Sequence, residues 1–228
     1  MKRTLLLILS LISLISGAQE SQIMGGYLLD GNDSFEELEA AVLTDDRTKD
    51  RILDGKGMRF HGASIFMTPE SIGKEIGSIV RTKHPFLVKT ISFTVEENRM
   101  EGSKASIRIY RMNGDDDLEN IITMPIYQEI PKVSGRTTFS IAPEEIILLD
   151  PGKYYISFCL TDIGHEIKKR WADTASWDEK ERFEKYRQDR IFFPAYIKGS
   201  YTREKSGQPL EKWGMNIGVS VRGCNKKE

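Results

Sequence analysis

Leu87-Val88-Lys89-Thr90-Ile91-Ser92-Phe93-Thr94-Val95 sets Ile91, Phe93 and Val95 against Ser92 and Thr94. Successive side chains of a strand point to opposite faces, so this spacing predicts one buried face and one wet face. Ile107 and Ile109 alternate in the same way with Ser106 and Arg108. Similar runs, rich in branched and aromatic residues, cover 60–67, 76–82, 105–112, 121–130, 137–141, 154–160, 191–197 and 214–221. Turn residues such as Asn113-Gly114-Asp115 and Pro151-Gly152 separate them. About nine strands joined by turns instead of helices predict a mainly β fold, an antiparallel β-sandwich of the jelly-roll kind over 58–228.

Ahead of this region the pattern changes. Asp33-Ser34-Phe35-Glu36-Glu37-Leu38-Glu39-Ala40-Ala41-Val42 has helical spacing, with Ser34 and Glu37 as a capping box. Residues 44–57, dense in Asp, Arg and Lys, read as a solvated connection, so 19–57 forms an N-terminal segment with one short helix. Residues 1–18 have the form of a secretory signal peptide: Lys2 and Arg3, an apolar run through Ile15, then Ser16-Gly17-Ala18. Cleavage after Ala18 is expected, and Gln19-Glu20 offer no lipid-accepting cysteine. The expectation is export, with no transmembrane segment after cleavage.

Loss of the leader removes two positive charges, taking the formal net charge from -1 to -3. Lys and Arg are interleaved with Asp and Glu, which argues against nucleic acid as partner. The two cysteines, Cys159 and Cys224, both fall on the side of their runs opposite the apolar residues. In an oxidising compartment they are either a disulfide or two unpaired thiols.

The stretch 165–190 breaks the β rhythm with eight Lys and Arg, seven Asp and Glu, and Trp171, Trp177, Phe183 and Tyr186. Ser176 and Glu179 read as a capping box, and Glu181 with Lys185 as an i,i+4 pair, which predicts a charged helical insertion. Its aromatics either seat it against the sandwich edge or make it a lid beside a ligand site.

Lys89-Thr90-Ile91-Ser92-Phe93, Ile107-Arg108-Ile109-Tyr110, Pro125-Ile126-Tyr127, Gly152-Lys153-Tyr154-Tyr155-Ile156-Ser157, Tyr201-Thr202-Arg203 and Lys212-Trp213, in this order, resemble a group of uncharacterised exported β-sandwich envelope proteins of gram-negative bacteria. Some members of that group join the sandwich to a carboxypeptidase-regulatory-like domain. The resemblance spans 71–222 and implies fold and export, to the periplasm, cell surface or exterior of a gram-negative bacterium, with no activity to carry over. No complete regulatory-like domain fits before Met58, and 165–190 is an insertion relative to the group's short connection.

Catalytic and cofactor signatures are missing from the sequence. His61, His84 and His165 are isolated, and neither a Gly-x-Ser-x-Gly elbow nor a phosphate-binding glycine loop occurs. Asp115-Asp116-Asp117 with Glu119 and Asn120 lacks the spacing of an EF-hand and reads as a solvated turn in preference to a calcium site. No metal and no cofactor is expected. A glycosidase-like carboxylate pair is a matter of spatial separation, which sequence does not give.

Aromatic residues carry the remaining ligand reading. Sugar-binding sandwiches set Trp and Tyr rings against pyranose faces, and Tyr201, Trp213, Trp171 and Trp177 are the candidates; ordinary packing is the competing fate of each. Tyr201 and Trp213 lead because they flank the polar connection 202–212. The expected function is non-catalytic binding of a glycan or cell-surface ligand, the alternatives being a structural or protein-partner role and a hydrolase.

Overall fold

The computed structural model describes residues 49–114 and 117–226. The leader, the helix expected over 34–42, and Asp115 and Asp116 of the acidic turn lie outside the described residues.

Among the described residues thirteen strands make up one sheet. They are β1 (Arg51–Asp54), β2 (Met58–Met67), β3 (Glu75–Thr82), β4 (Phe86–Asn98), β5 (Ser103–Met112), β6 (Leu118–Asn120), β7 (Ile126–Ile130), β8 (Val133–Ile141), β9 (Leu148–Leu149), β10 (Gly152–Asp162), β11 (Ile191–Arg203), β12 (Glu211–Asn216) and β13 (Ser220–Asn225). The pairings are antiparallel, along the path β1-β13-β4-β11-β3-β10-β5-β6, with β2 and β12 on β11, β8 and β9 on β4, and β7 on β5. The mainly β, antiparallel expectation therefore holds.

The alternation read from 87–95 is realised in β4, where Ile91, Phe93 and Val95 are fully or almost fully buried. Ile107 and Ile109 of β5 and Ile156, Phe158 and Leu160 of β10 join the same core. Phe93 meets Phe158 edge-on at 5.1 Å, and Phe158 meets Phe193 of β11 at 4.9 Å. Because β4 and β10 share no ladder, this contact requires the sheet to curl until its inward rows meet. β11 makes the bend. Its first half pairs with β2 and β4, its second with β12 and β3, and its register slips after Pro194 and again after Ile197. Pro194, which has no N–H to give a ladder, sits at the first slip, where strand prolines are tolerated.

Three readings of the sequence change. Residues 51–54, expected within a solvated connection, form β1 on β13, so the described strands begin at Arg51 and not at Met58. The single run expected over 214–221 is two strands, because Gly218 turns the chain with φ 73° while its N–H donates to Asn216 Oδ1 at 2.8 Å. The run expected over 121–130 is regular only in β7.

The insertion contains two helices, α1 (His165–Arg170) and α2 (Glu179–Gln188). The cap of α2 is Asp178 with Glu181, two residues beyond the expected Ser176 and Glu179. Ser176 closes its own 3-10 turn instead, its hydroxyl donating to the Asp173 carbonyl at 3.0 Å. Lys185 does not reach Glu181; its ammonium lies 5.7 Å over the Trp177 ring.

Cys159 and Cys224 are free and buried, so the candidate disulfide is absent. Cys159 lies opposite Glu75 and Ser106, whereas Cys224 lies opposite Leu87, and β4, β11 and β3 separate their strands along the sheet. A bridge needs Cα atoms within about 7 Å. Burial also pushes the Cys159 thiol up, away from the reactive thiolate. The native protein should therefore ignore a thiol reagent and expose both thiols on denaturation, with a melting temperature insensitive to reductant; a reductant-dependent shift would disprove the free-thiol assignment.

Candidate functional site: a cationic groove on the polar face of the central strands

Register decides which polar residues meet. On the face of β3, β10 and β5 opposite the core, Arg81 stands across from Lys153, and Ile79 across from Tyr155 and then Tyr110. Gly77 follows with Ser157 and Arg108, and Glu75 with Cys159 and Ser106. The face thus runs from a buried acid at one end to two exposed cations at the other.

Glu75 is wholly buried. Ser157 donates to its carboxylate at 2.7 Å, the Arg108 guanidinium at 3.2 Å and the Tyr110 hydroxyl at 3.3 Å, and Arg203 stands 3.7 Å away. Four donors or charges around one carboxylate offset the desolvation that a buried charge otherwise suffers. Thr202 adds a hydroxyl bond to the Glu75 carbonyl at 3.1 Å, so the end of β11 is locked beside β3.

Next along the face, Tyr110, Tyr155 and Tyr201 form a separate buried cluster with Ile79, Met112, Leu118 and Leu210 around it. Tyr155 stacks on Tyr110 at 5.8 Å, meets Tyr201 edge-on at 5.7 Å, and donates its hydroxyl to the Tyr201 carbonyl at 2.9 Å. Burial holds the Tyr155 phenol well above the usual tyrosine range, and burial together with the Glu75 carboxylate raises that of Tyr110.

Beyond the tyrosines the face opens into a groove of about 680 Å³. Ile79, Met112 and Tyr201 line it beside Arg81 and Lys153, with Asp54 of β1 and, from β11 and β12, Lys198, Gly199, Ser200, Lys212, Trp213 and Gly214. The β11–β12 wall is pinned by Asn216, a fully buried amide that donates to the Lys198 carbonyl at 3.2 Å and accepts from Ser78 at 3.0 Å. Ser78 in turn accepts the Val219 N–H at 2.9 Å, fixing the turn into β13. Lys198 directs its ammonium at the carbonyls of Lys56 and Ile79, 3.4 and 3.5 Å away. Asp54 accepts the Lys56 N–H at 2.8 Å and is the one carboxylate among the lining residues, so no pair of acids converges there.

The four expected aromatics divide between two places. Tyr201 and Trp213 both line the groove, but Tyr201 is 3% exposed and packed in the tyrosine cluster, while half-buried Trp213 also packs against the apolar core. Trp171 and Trp177 are not in the groove. They pack edge-on at 5.0 Å in the insertion, with Trp171 8% exposed and its Nε1–H donating to Asp189 at 2.8 Å. Their surroundings are those of the seating role: Trp171 belongs to the core, and Trp177 and Tyr186 pack against it.

Arg81, Lys153, Lys198 and Asp54 were not singled out by the sequence. Their signal is the alternation itself, which places Arg81 and Lys153 off the core face; the pairing that joins them is not local. Among the described residues no group of His, Cys, Asp and Glu is arranged to hold a metal ion. Comparison of the chain with protein-family models, curated proteins and solved structures found no match.

Two stability measurements follow from this geometry. Glu75→Ala leaves two arginines facing an empty site and should lower the unfolding free energy in urea by about 3 kcal/mol, whereas Arg81→Ala and Lys153→Ala should stay within about 0.5 kcal/mol of the parent. In base, the raised phenols of Tyr110 and Tyr155 favour the protonated folded state, so their contribution is complete below the unfolded tyrosine pKa of about 10 and falls as pH rises through the folded values. Their phenolate absorbance should appear together with loss of the β signal in circular dichroism; ionisation in a still-folded protein would contradict the buried cluster.

Proposed function

We propose that the chain is an exported, non-catalytic binding module of the gram-negative envelope, a jelly-roll-like sandwich that holds a glycan or other cell-surface ligand in the groove between β3, β10 and the β11–β12 wall. The observation that carries this reading is the placement of Trp213 in a preformed concavity beside Asp54, Ser200 and four cationic side chains. Ring faces of a sugar pack on an aromatic side chain, and its hydroxyls need fixed polar partners; the groove offers both. Rigidity supports the same reading. Asn216 and Ser78 fix the wall and the tyrosine cluster fixes the floor, so little ordering remains to be done when a ligand enters.

A second reading, a docking role without small ligand, draws on β2, where Met58, Phe60 and Phe66 are 69%, 43% and 54% exposed. Exposed apolar side chains of this size on one strand are what a protein partner would cover. A hydrolase finds less support, because the groove presents Asp54 without a second acid.

The test is binding of the purified chain to a broad glycan array, followed by titration of any ligand found. Trp213→Ala should weaken binding by about tenfold or more, as expected for a central aromatic contact. Trp177→Ala, remote from the groove, should leave affinity unchanged. Equal loss in both variants, or binding unaffected by Trp213→Ala, would remove the groove from the function.

A further inference from the structure

We propose that the ligand of this groove is an acidic saccharide, whose carboxylate or phosphate groups are taken by Arg81 and Lys153. The inference rests on the groove being the ligand site and adds the charge of what it holds.

Arg81 of β3 and Lys153 of β10 are direct cross-strand partners on one face, both exposed. Like charges directly opposite one another on a sheet oppose folding. Several cations elsewhere on the surface stand beside acids: Lys74 has Glu204, Lys89 and Arg222 share Asp50, and Lys168 has Asp162. Arg111, the neighbour of Met112 on β5, lies 3.4 Å from Asp150. Among the described residues Arg81 and Lys153 have no such acid, although they sit where strand pairing brings them together. An anion placed between them relieves the repulsion, and the guanidinium fork suits a planar carboxylate or a phosphate.

The rest of the lining has the same sign. Lys198 adds a third cation, whose ammonium meets two carbonyls at 3.4 and 3.5 Å, groups that carry no full charge. Arg81, Lys153 and Lys198 against Asp54 give this part of the lining a formal charge of +2, in a chain whose formal net charge is -1. A local concentration of one sign against the trend of the whole molecule is a focusing arrangement for an opposite charge. A nucleic acid fits less well. Base stacking along a strand uses successive aromatic platforms, and here Trp213 is the one half-exposed ring, Tyr201 being buried.

The experiment measures affinity of the purified chain for uronate, sialylated and phosphorylated oligosaccharides, for the neutral form of each, and for a single-stranded oligonucleotide. Acidic forms should bind about tenfold or more tightly than their neutral forms, and the difference should shrink with added salt and disappear in Arg81→Gln/Lys153→Gln. Which acidic arm binds tells carboxylate from phosphate. The double variant should melt no lower than the parent, since both residues are exposed, so a loss of binding is separable from a loss of fold. Equal affinity for acidic and neutral forms, with Trp213→Ala still damaging, overturns the charge assignment and leaves the groove function standing. Tighter binding of the oligonucleotide than of any saccharide overturns the saccharide. No binding in any arm overturns the ligand-site reading itself.

Discussion

The buried carboxylate of Glu75 is the constraint on which the polar side of the molecule depends. It gathers Ser157 of β10, Arg108 and Tyr110 of β5, and Arg203 of β11 around one pair of oxygens. A charge without water is tolerated when its partners are all present, and these partners come from three strands besides its own. Satisfying Glu75 thereby fixes where the end of β11 lies over β3, and that in turn sets Tyr201 on Tyr155. The groove floor is a consequence of this placement.

β11 therefore belongs to both halves of the curled sheet. Its first residues carry Phe193 into the apolar core against Phe158, and its last residues carry Tyr201 and Arg203 onto the opposite face. Two register slips and Pro194 let one strand do both, at the cost of interrupting the ladder. The interruption is useful to the surface. Between the second slip and the tyrosine cluster lie Lys198, Gly199 and Ser200, which line the groove, and a Cβ added at Gly199 or Gly214 would meet nothing within 4 Å. Those two glycines leave the concavity open instead of filling it.

The helical insertion obeys a different logic. Its surface helix α2 buries none of its residues, so its attachment comes from the flanking residues. Asp189, 2% exposed, accepts from both the Trp171 indole and the Arg170 guanidinium, and the Tyr186 hydroxyl donates to Glu70. Trp171 fills the gap beneath while Trp177 and Tyr186 cover it. This is a clasp built from a buried acid and aromatic rings, the same device that holds the end of β11, used on a charged insertion.

Strand alternation was legible in the amino-acid sequence because it is local: each residue of 87–95 faces its side whatever strand it pairs with. The helical character of 165–190 was legible for the same reason, although its cap moved when Ser176 found a nearer carbonyl. The strand at Arg51–Asp54 was missed because four residues of mixed charge form a strand only when β13 is there to receive them. The groove was not legible. Arg81 meets Lys153, and Thr202 meets Glu75 across 127 positions, through register alone. Tyr201 and Trp213 both line the groove, yet one is buried and the other half-buried, and burial is a property of the neighbours that folding brings. Sequence thus determined which side each residue faces; tertiary structure decided which polar residues share a face, since pairing depends on the whole set of strands competing to satisfy their backbone groups and bury their apolar rows.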